Sequence, residues 1–340
     1  MFFPGCQLAA SEPEQIEAAY GWLREALQED VALFLGCCGA PANWAGRDDL
    51  LQETLDFIHK TWVEEGEPTL ILACSSCKDL FEQQLPQIPL ISLWQVLAEH
   101  ELPATAAAGN GATLAIHDAC SSRFDAPLQE SVRTIINKLG YTVEELRYNR
   151  ENTKCCGFGG LVFYANREQQ IELAKDRASG SSLDLVVYCA MCKDLFTGEG
   201  KRSFHLLELL FAKDPEDYAL RSAPLLSERH ANRILLKRRL LREVWGEDVA
   251  DPAPRLPGYT VVLSPEILAL MEERLILDSD ITDALARALA DPGERFYNTE
   301  EDCYLISVRK QYVTYWVRYR QVEKTMEVVS VYSHRMDIMG

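Results

Sequence analysis

Through the first part of the chain, short continuous apolar runs alternate with longer stretches of helical period. The runs are Val31-Ala32-Leu33-Phe34-Leu35, Thr69-Leu70-Ile71-Leu72-Ala73, Thr113-Leu114-Ala115-Ile116 and Leu183-Asp184-Leu185-Val186-Val187-Tyr188. Runs of this length, without the alternation of a half-solvated strand, predict buried parallel strands. Helical period covers residues 12–28, 48–65, 126–139 and 165–179. Strands and helices in turn predict an α/β fold of short parallel sheets with flanking helices. Beyond residue 213 the pattern changes. Residues 214–257 read as a linker with a basic helix, where Arg229, Arg233, Lys237, Arg238, Arg239 and Arg242 flank an apolar face of Ile234, Leu235, Leu236, Leu240 and Leu241. Those arginines fit either an acidic partner or a solvated face. Asp251-Pro252-Ala253-Pro254 and Pro257-Gly258 then break the chain. Residues 258–340 read as a small C-terminal α+β domain, with helices at 264–276 and 279–290 and an antiparallel meander at 302–309, 312–320 and 325–333.

The cysteines divide the first part in two. Ten of the eleven fall into two sets of the same form, a lone Cys, a Cys-Cys pair and a Cys-x-x-Cys. One set is Cys6, Cys37, Cys38, Cys74 and Cys77; the other is Cys120, Cys155, Cys156, Cys189 and Cys192. Their surroundings repeat as well: Cys74-Ser75-Ser76-Cys77-Lys78-Asp79-Leu80-Phe81 answers Cys189-Ala190-Met191-Cys192-Lys193-Asp194-Leu195-Phe196. This is an internal duplication, with one copy over residues 1–110 and the second over 111–213. The apolar runs place the thiols at the carboxyl ends of strands, where open α/β sheets carry their ligands. Each Cys-x-x-Cys also opens a helix, whose N-terminal N–H groups and dipole favour thiolate.

Composition narrows the chemistry. A chain of 340 residues with a net charge of −18 repels phosphate backbones, so nucleic acid is not an expected ligand. No apolar run approaches the length of a membrane span, and Met1-Phe2-Phe3-Pro4-Gly5-Cys6 opens without a basic leader. A cytoplasmic protein is expected, and clustered thiols in a reducing compartment point to metal or redox chemistry rather than disulfides. Five thiols at one point suit a soft ion or a cluster. Zinc takes four ligands and leaves one cysteine spare in each set, so iron–sulfur is the favoured reading and zinc in the first site the main alternative. Lys78 and Lys193 follow the two Cys-x-x-Cys motifs, either offsetting thiolate charge or facing solvent. Gly39, Gly157, Gly159 and Gly160 fit tight turns beside a cluster. His117 and Asp118 stand near Cys120, either acting on sulfur or satisfying buried loop amides. Cys303 reads as a buried core thiol. The chain has no C-x2-C-x2-C-x3-C pattern and no G-x-G-x-x-G after a strand, so no cubane relay, flavin or nicotinamide site is evident.

The two five-cysteine sets, with Phe3-Pro4-Gly5-Cys6 and Ile116-His117-Asp118-Ala119-Cys120, resemble the cysteine-rich CCG domain of the B-type subunits of heterodisulfide reductase. The same domain occurs in related subunits of lactate, glycolate, glycerol-3-phosphate and succinate oxidoreductases. The resemblance covers about residues 1–213 and implies a duplicated CCG domain. It implies that each set holds a noncubane [4Fe–4S] cluster, two per chain, at a site exchanging electrons with a disulfide or thiol substrate. Many relatives lack ligands in one copy, whereas all ten are present here, which favours the heterodisulfide reductase branch. Ser121-Ser122-Arg123 departs from the pattern, which places a His next to the Cys. The resemblance also implies a multi-subunit oxidoreductase in which a ferredoxin-like iron–sulfur subunit and a flavoprotein subunit supply electrons. Two further functions fit the residues: an electron-relay subunit of a lactate-, glycolate- or quinone-linked dehydrogenase, and a zinc-bearing scaffold that only binds partners.

Overall fold

The computed structural model describes residues 1–251 and 253–336; Pro252, in the expected chain break, lies outside the described residues. The chain forms two compact units, one of Met1–Ala223 with Asn232–Leu240 and one of Pro224–Ala231 with Leu241–Gly340.

The first unit holds both copies. The first copy runs β1 (Phe2–Phe3), α1 (Leu8–Ser11), α2 (Pro13–Leu27), α3 (Ala40–Trp44), α4 (Asp48–Glu64), β2 (Leu70–Leu72), α5 (Ser75–Gln84), β3 (Leu90–Ser92) and α6 (Leu93–Glu99). The second runs β4 (Thr113–His117), α7 (Ala126–Lys138), β5 (Thr142–Glu145), α8 (Val162–Ala165), α9 (Arg167–Ala178), β6 (Leu185–Val187), α10 (Ala190–Gly198), β7 (Ser203–His205) and α11 (Leu206–Phe211). Each copy has its own parallel sheet, β1-β2-β3 and β5-β4-β6-β7. The central strands are buried throughout, as their unbroken apolar sequences require.

One expected strand is reduced. Val31–Leu35 occupies the place of β5 in the first copy but makes only the parallel bridge Phe2↔Leu33. The partner strand β1 is two residues long, against five for β4, so the ladder has nothing to extend along. Among the strands not foreseen, β3 and β7 are three residues each and too short to show a period. Their sequence signal is the capping box that follows. Ser92 with Gln95 caps α6 and His205 with Glu208 caps α11 at the same place in the two copies.

Helix α12 (Leu226–Glu243) contributes Asn232–Leu240 to the first unit. Leu236 and Leu240 are buried, the Asn232 side chain donates to the Ala10 carbonyl at 2.7 Å, and Arg239 pairs with Glu17 at 2.6 Å. Ile234 and Leu235, by contrast, are exposed.

The second unit contains β8 (Thr260–Val262), α13 (Pro265–Arg274), α14 (Asp278–Ala290), β9 (Phe296–Asn298), β10 (Cys303–Lys310), β11 (Val313–Val322) and β12 (Thr325–His334). The last four form the antiparallel meander, and β8 adds in parallel to β12. Val317 and Tyr319 face its core while Tyr315 and Trp316 are half-buried. Cys303 is buried at the start of β10. Among the described residues no helix is long and apolar enough to cross a membrane.

Candidate metal centre

Both cysteine sets assemble on one frame. The lone cysteine follows the first strand of its copy, the Cys-Cys pair lies in the loop before α3 or α8, and Cys74 and Cys189 are the N-caps of α5 and α10. Cys38, Cys77, Cys156 and Cys192 are buried; Cys6, Cys74, Cys120, Cys155 and Cys189 are half-buried, and Cys37 is exposed. All are free thiols. In the first copy, thiol contacts run Cys6 to Cys37 to Cys38 to Cys77 to Cys74. The second repeats the sequence Cys120 to Cys155 to Cys156 to Cys192 to Cys189, with Sγ–Sγ distances of 3.6 Å for Cys120–Cys155 and 3.3 Å for Cys156–Cys192.

The sulfurs are strung out rather than gathered on a point. Among the described residues, no three His, Cys, Asp or Glu side chains are arranged around a single metal ion. Within each string, one thiol is held as thiolate. Hydrogen bonds from Cys38 and Cys6, then the Gly39 N–H, lower Cys37 to about 2 against the opposing effect of burial. Cys120 and Cys156, then the Gly157 N–H at 3.3 Å, do the same for Cys155. Bonds to those thiolates and burial keep protons on Cys6 and Cys120. Cys74, bonded by Cys77 and by N–H groups opening α5, falls to about 7. This follows from the helix terminus the sequence placed there.

Glycine allows this approach at two kinds of position. Gly39 and Gly157 follow the Cys-Cys pairs with φ of 91° and 92°, in the left-handed region that side chains rarely adopt. Gly160 shares that region, whereas Gly159 is not among the positive-φ residues. Sequence reasoning missed the role of Gly5: a Cβ there would lie 3.0 Å from Cys74 Cβ and 3.4 Å from Cys77 Sγ. Its signal was its place in Phe3-Pro4-Gly5-Cys6.

Neither lysine faces solvent. Lys78 is buried and pairs with Asp125 at 2.7 Å and Glu82 at 2.5 Å. Lys193, wholly buried, pairs with Glu208 and lies 3.9 Å from Glu12, which Arg221 also engages. Burial, then the Glu208 charge, push the Glu12 carboxyl well up despite both cations. In each copy, therefore, the lysine after Cys-x-x-Cys meets an acid that follows the lone cysteine of the other copy. Further bonds cross the same seam. Ser75 and Ser76 meet Ser121 at 2.7 and 3.0 Å, and Ser11 donates to Asp194 at 2.7 Å. Ser121, next to Cys120, is thus a contact between copies. The rings of Trp44, at the end of α3, and Phe158, in the loop after Cys155-Cys156, stand edge to face at 6.3 Å.

His117 and Asp118 lie in a buried hydrogen-bond network. The His117 Nδ1 accepts from Arg177 Nε at 2.7 Å, and burial, then the Arg177 charge, bring the imidazole down to about 3. Asp118 accepts from both Arg133 Nη groups at 3.0 and 2.9 Å, the Arg150 N–H at 2.8 Å and the Tyr188 hydroxyl at 3.0 Å. Burial opposes its charge, but these donors hold its carboxyl below the usual range.

A string of five thiols, one already ionised and two or more buried, fits a multi-iron cluster, whose ligands bind different irons and need not converge. Residues 1–82 and 114–195 each match the family model of the CCG cysteine-rich domain. No curated protein matches the chain. CCG domains occur in oxidoreductase subunits, and their cysteines point to a metal or iron–sulfur cofactor. Each matched segment contains one complete five-cysteine set on the same strand–loop–helix frame, so the chain carries two CCG cysteine-rich domains in tandem.

Proposed function

We propose that the protein is the iron–sulfur subunit of a multi-subunit oxidoreductase of the heterodisulfide reductase B type. Cys6, Cys37, Cys38, Cys74 and Cys77 would hold one noncubane [4Fe–4S] cluster, and Cys120, Cys155, Cys156, Cys189 and Cys192 a second. The observation that carries this reading is that two equivalent strings of five thiols lie in one compact unit with direct side-chain bonds between the two copies. When bound, the two clusters supply one electron each to a disulfide, which with two protons becomes two thiols. The chain's own residues do the rest. Cys37 and Cys155 present ionised sulfur; the N-termini of α5 and α10 favour negative charge at the Cys-x-x-Cys sulfurs; Trp44 and Phe158 put apolar rings beside the two loops. With no electron-entry motif in the sequence, a ferredoxin-like iron–sulfur subunit and a flavoprotein subunit would deliver the electrons.

Anaerobic purification followed by iron and zinc counts tests the reading. It predicts about eight irons per chain, four for each cluster, and loss of about half on either Cys38→Ser or Cys156→Ser. Zinc in place of iron, or full iron retention in both variants, sinks the five-ligand assignment. Reduction of a test disulfide by the loaded protein with its copurified partners separates disulfide chemistry from simple electron relay.

A further inference from the structure

The two Cys-Cys pairs reach their next helix by loops of different length. In the first copy α3 starts two residues after Cys38, and its first residue, Ala40, is buried. In the second copy α8 starts six residues after Cys156, behind Leu161 in the left-handed region, and none of its residues is buried. The longer loop, Gly157-Phe158-Gly159-Gly160-Leu161, therefore lacks the anchored helix that braces the shorter one. Its own copy holds its start. The Gly157 N–H donates to Cys155 Sγ at 3.3 Å, and a Cβ on Gly157 would lie 3.0 Å from the Gln170 carbonyl oxygen in α9. The next residue meets the other copy. Phe158 packs on the apolar core that contains Cys156 and Cys192, and its ring stands edge to face with Trp44 at 6.3 Å and 78°. A Cβ on Gly159 would lie 3.8 Å from the same indole. Trp44 is itself anchored, since it ends α3 and packs on the core that contains Cys38 and Cys77. The other rings against Phe158 are Phe163 at 5.5 Å and Tyr164 at 6.4 Å. Both belong to α8, which is part of the segment that needs holding. The contact is thus unequal: a braced helix end on the first side, an unbraced cysteine loop on the second.

We propose that Trp44 is a positioning residue of the second cysteine site: the indole of the first copy holds the loop that carries Cys155 and Cys156, so the shape of that loop is set from outside its own copy. That these thiols bind iron rests on the function proposed above; the positioning itself does not.

The test uses the full-length chain. With the protein freed of metal, iodoacetamide modification of Cys38 and Cys156 is followed by peptide mass spectrometry. Both thiols are buried, so each reacts when its loop opens, and the ratio of the Cys156 rate to the Cys38 rate compares the two loops. Trp44→Leu keeps apolar bulk on the first core and removes the ring pair. It should raise the ratio about two- to tenfold, the factor that an edge-to-face pair is worth. Trp44→Phe should hold the ratio near the wild-type value. Phe158→Leu removes the same pair from the other side and should act alike, which covers a Trp44 variant that fails to fold. The double leucine variant should go no further than either single one. An unchanged ratio in both single variants overturns the proposal, as do effects that multiply in the double. Equal speeding of Cys38 and Cys156 in Trp44→Leu also overturns it, since the indole would then only fill its own core. In the iron-loaded chain, an iron chelator should strip the second set about two- to tenfold faster in Trp44→Leu and the first set at the wild-type rate, with the freed cysteines identified by alkylation. If the metal-free ratio responds as expected but the purified chain carries no iron, the positioning role stands and the iron–sulfur reading falls.

Discussion

The two cysteine sites share a frame but are braced by different chemistry. Three residues before the lone cysteine stands Phe3 in the first copy and His117 in the second. Both rings sit edge to face on the phenylalanine of the repeated Lys-Asp-Leu-Phe, Phe3 on Phe81 at 5.3 Å and His117 on Phe196 at 4.9 Å. The first copy continues in apolar terms, with Phe34 stacked on Phe3 and Phe57 against Phe34. The second continues in polar terms, through Arg177, Thr153, Asp118, Arg133 and Glu145. A duplicated backbone therefore tolerates either solution, and the second does so with His117 Nε2 buried and unpartnered among the described residues. The first depends on shape, the second on its hydrogen bonds.

The largest expected effect lies in the polar copy. Arg133→Ala leaves Asp118, with 0% exposure, charged and short of two donors, which costs about 3–5 kcal/mol. Chemical denaturation measures it, and a loss below about 1 kcal/mol would show that the network is not what holds the second copy. Next comes the apolar copy's dependence on shape. Gly5→Ala places a methyl at φ 87° and 3.0 Å from Cys74 Cβ, for a loss of about 1–3 kcal/mol. Ala119→Gly, the reverse change at the equivalent place in the second copy, should cost about 1 kcal/mol or less.

A third prediction uses pH. Burial, then the Lys193 and Arg221 charges, lower His205 to about 3, whereas Ser92 stands at its place in the first copy. Between pH 6.5 and 3 the unfolded chain binds a proton at His205 that the folded chain does not, so this residue makes stability fall as pH falls. His205→Ser should remove about 1.4 kcal/mol per pH unit from that slope between about pH 6 and 5. Equal slopes in the two proteins would mean that His205 is not held neutral. A further small effect is at the seam. Ser121→Ala removes bonds to Ser75 and Ser76 that are only part-buried, at about 1 kcal/mol.

How much of this was legible in the sequence depended on range. Periodicity located α2, α4, α7 and α9 within a residue or two, because an amphipathic helix writes its packing into its own sequence. Cysteine spacing foretold which thiols the fold brings together, because a repeated pattern places its members on the same frame. What failed was anything decided by a distant partner. Val31–Leu35 reads as a strand but has only a two-residue neighbour to pair with. Lys78 and Lys193 read equally as solvent-facing, since nothing local announces Asp125 or Glu12. For Asp118 the sequence left sulfur chemistry and the satisfying of loop amides open, the second favoured, but could not name its partners Arg133 and Tyr188, 15 and 70 positions away.

The reciprocal contacts of the two lysines give the duplication a history. Lys78 of the first copy meets Asp125 of the second, and Lys193 of the second reaches toward Glu12 of the first. Contacts of residue i to j answered by j to i are the signature of an isologous interface between identical subunits. At this seam the two copies meet as the protomers of an isologous dimer would, each lysine reaching an acid of the other copy. A gene split near residue 110 should therefore give two fragments that regain a stable fold only when expressed together.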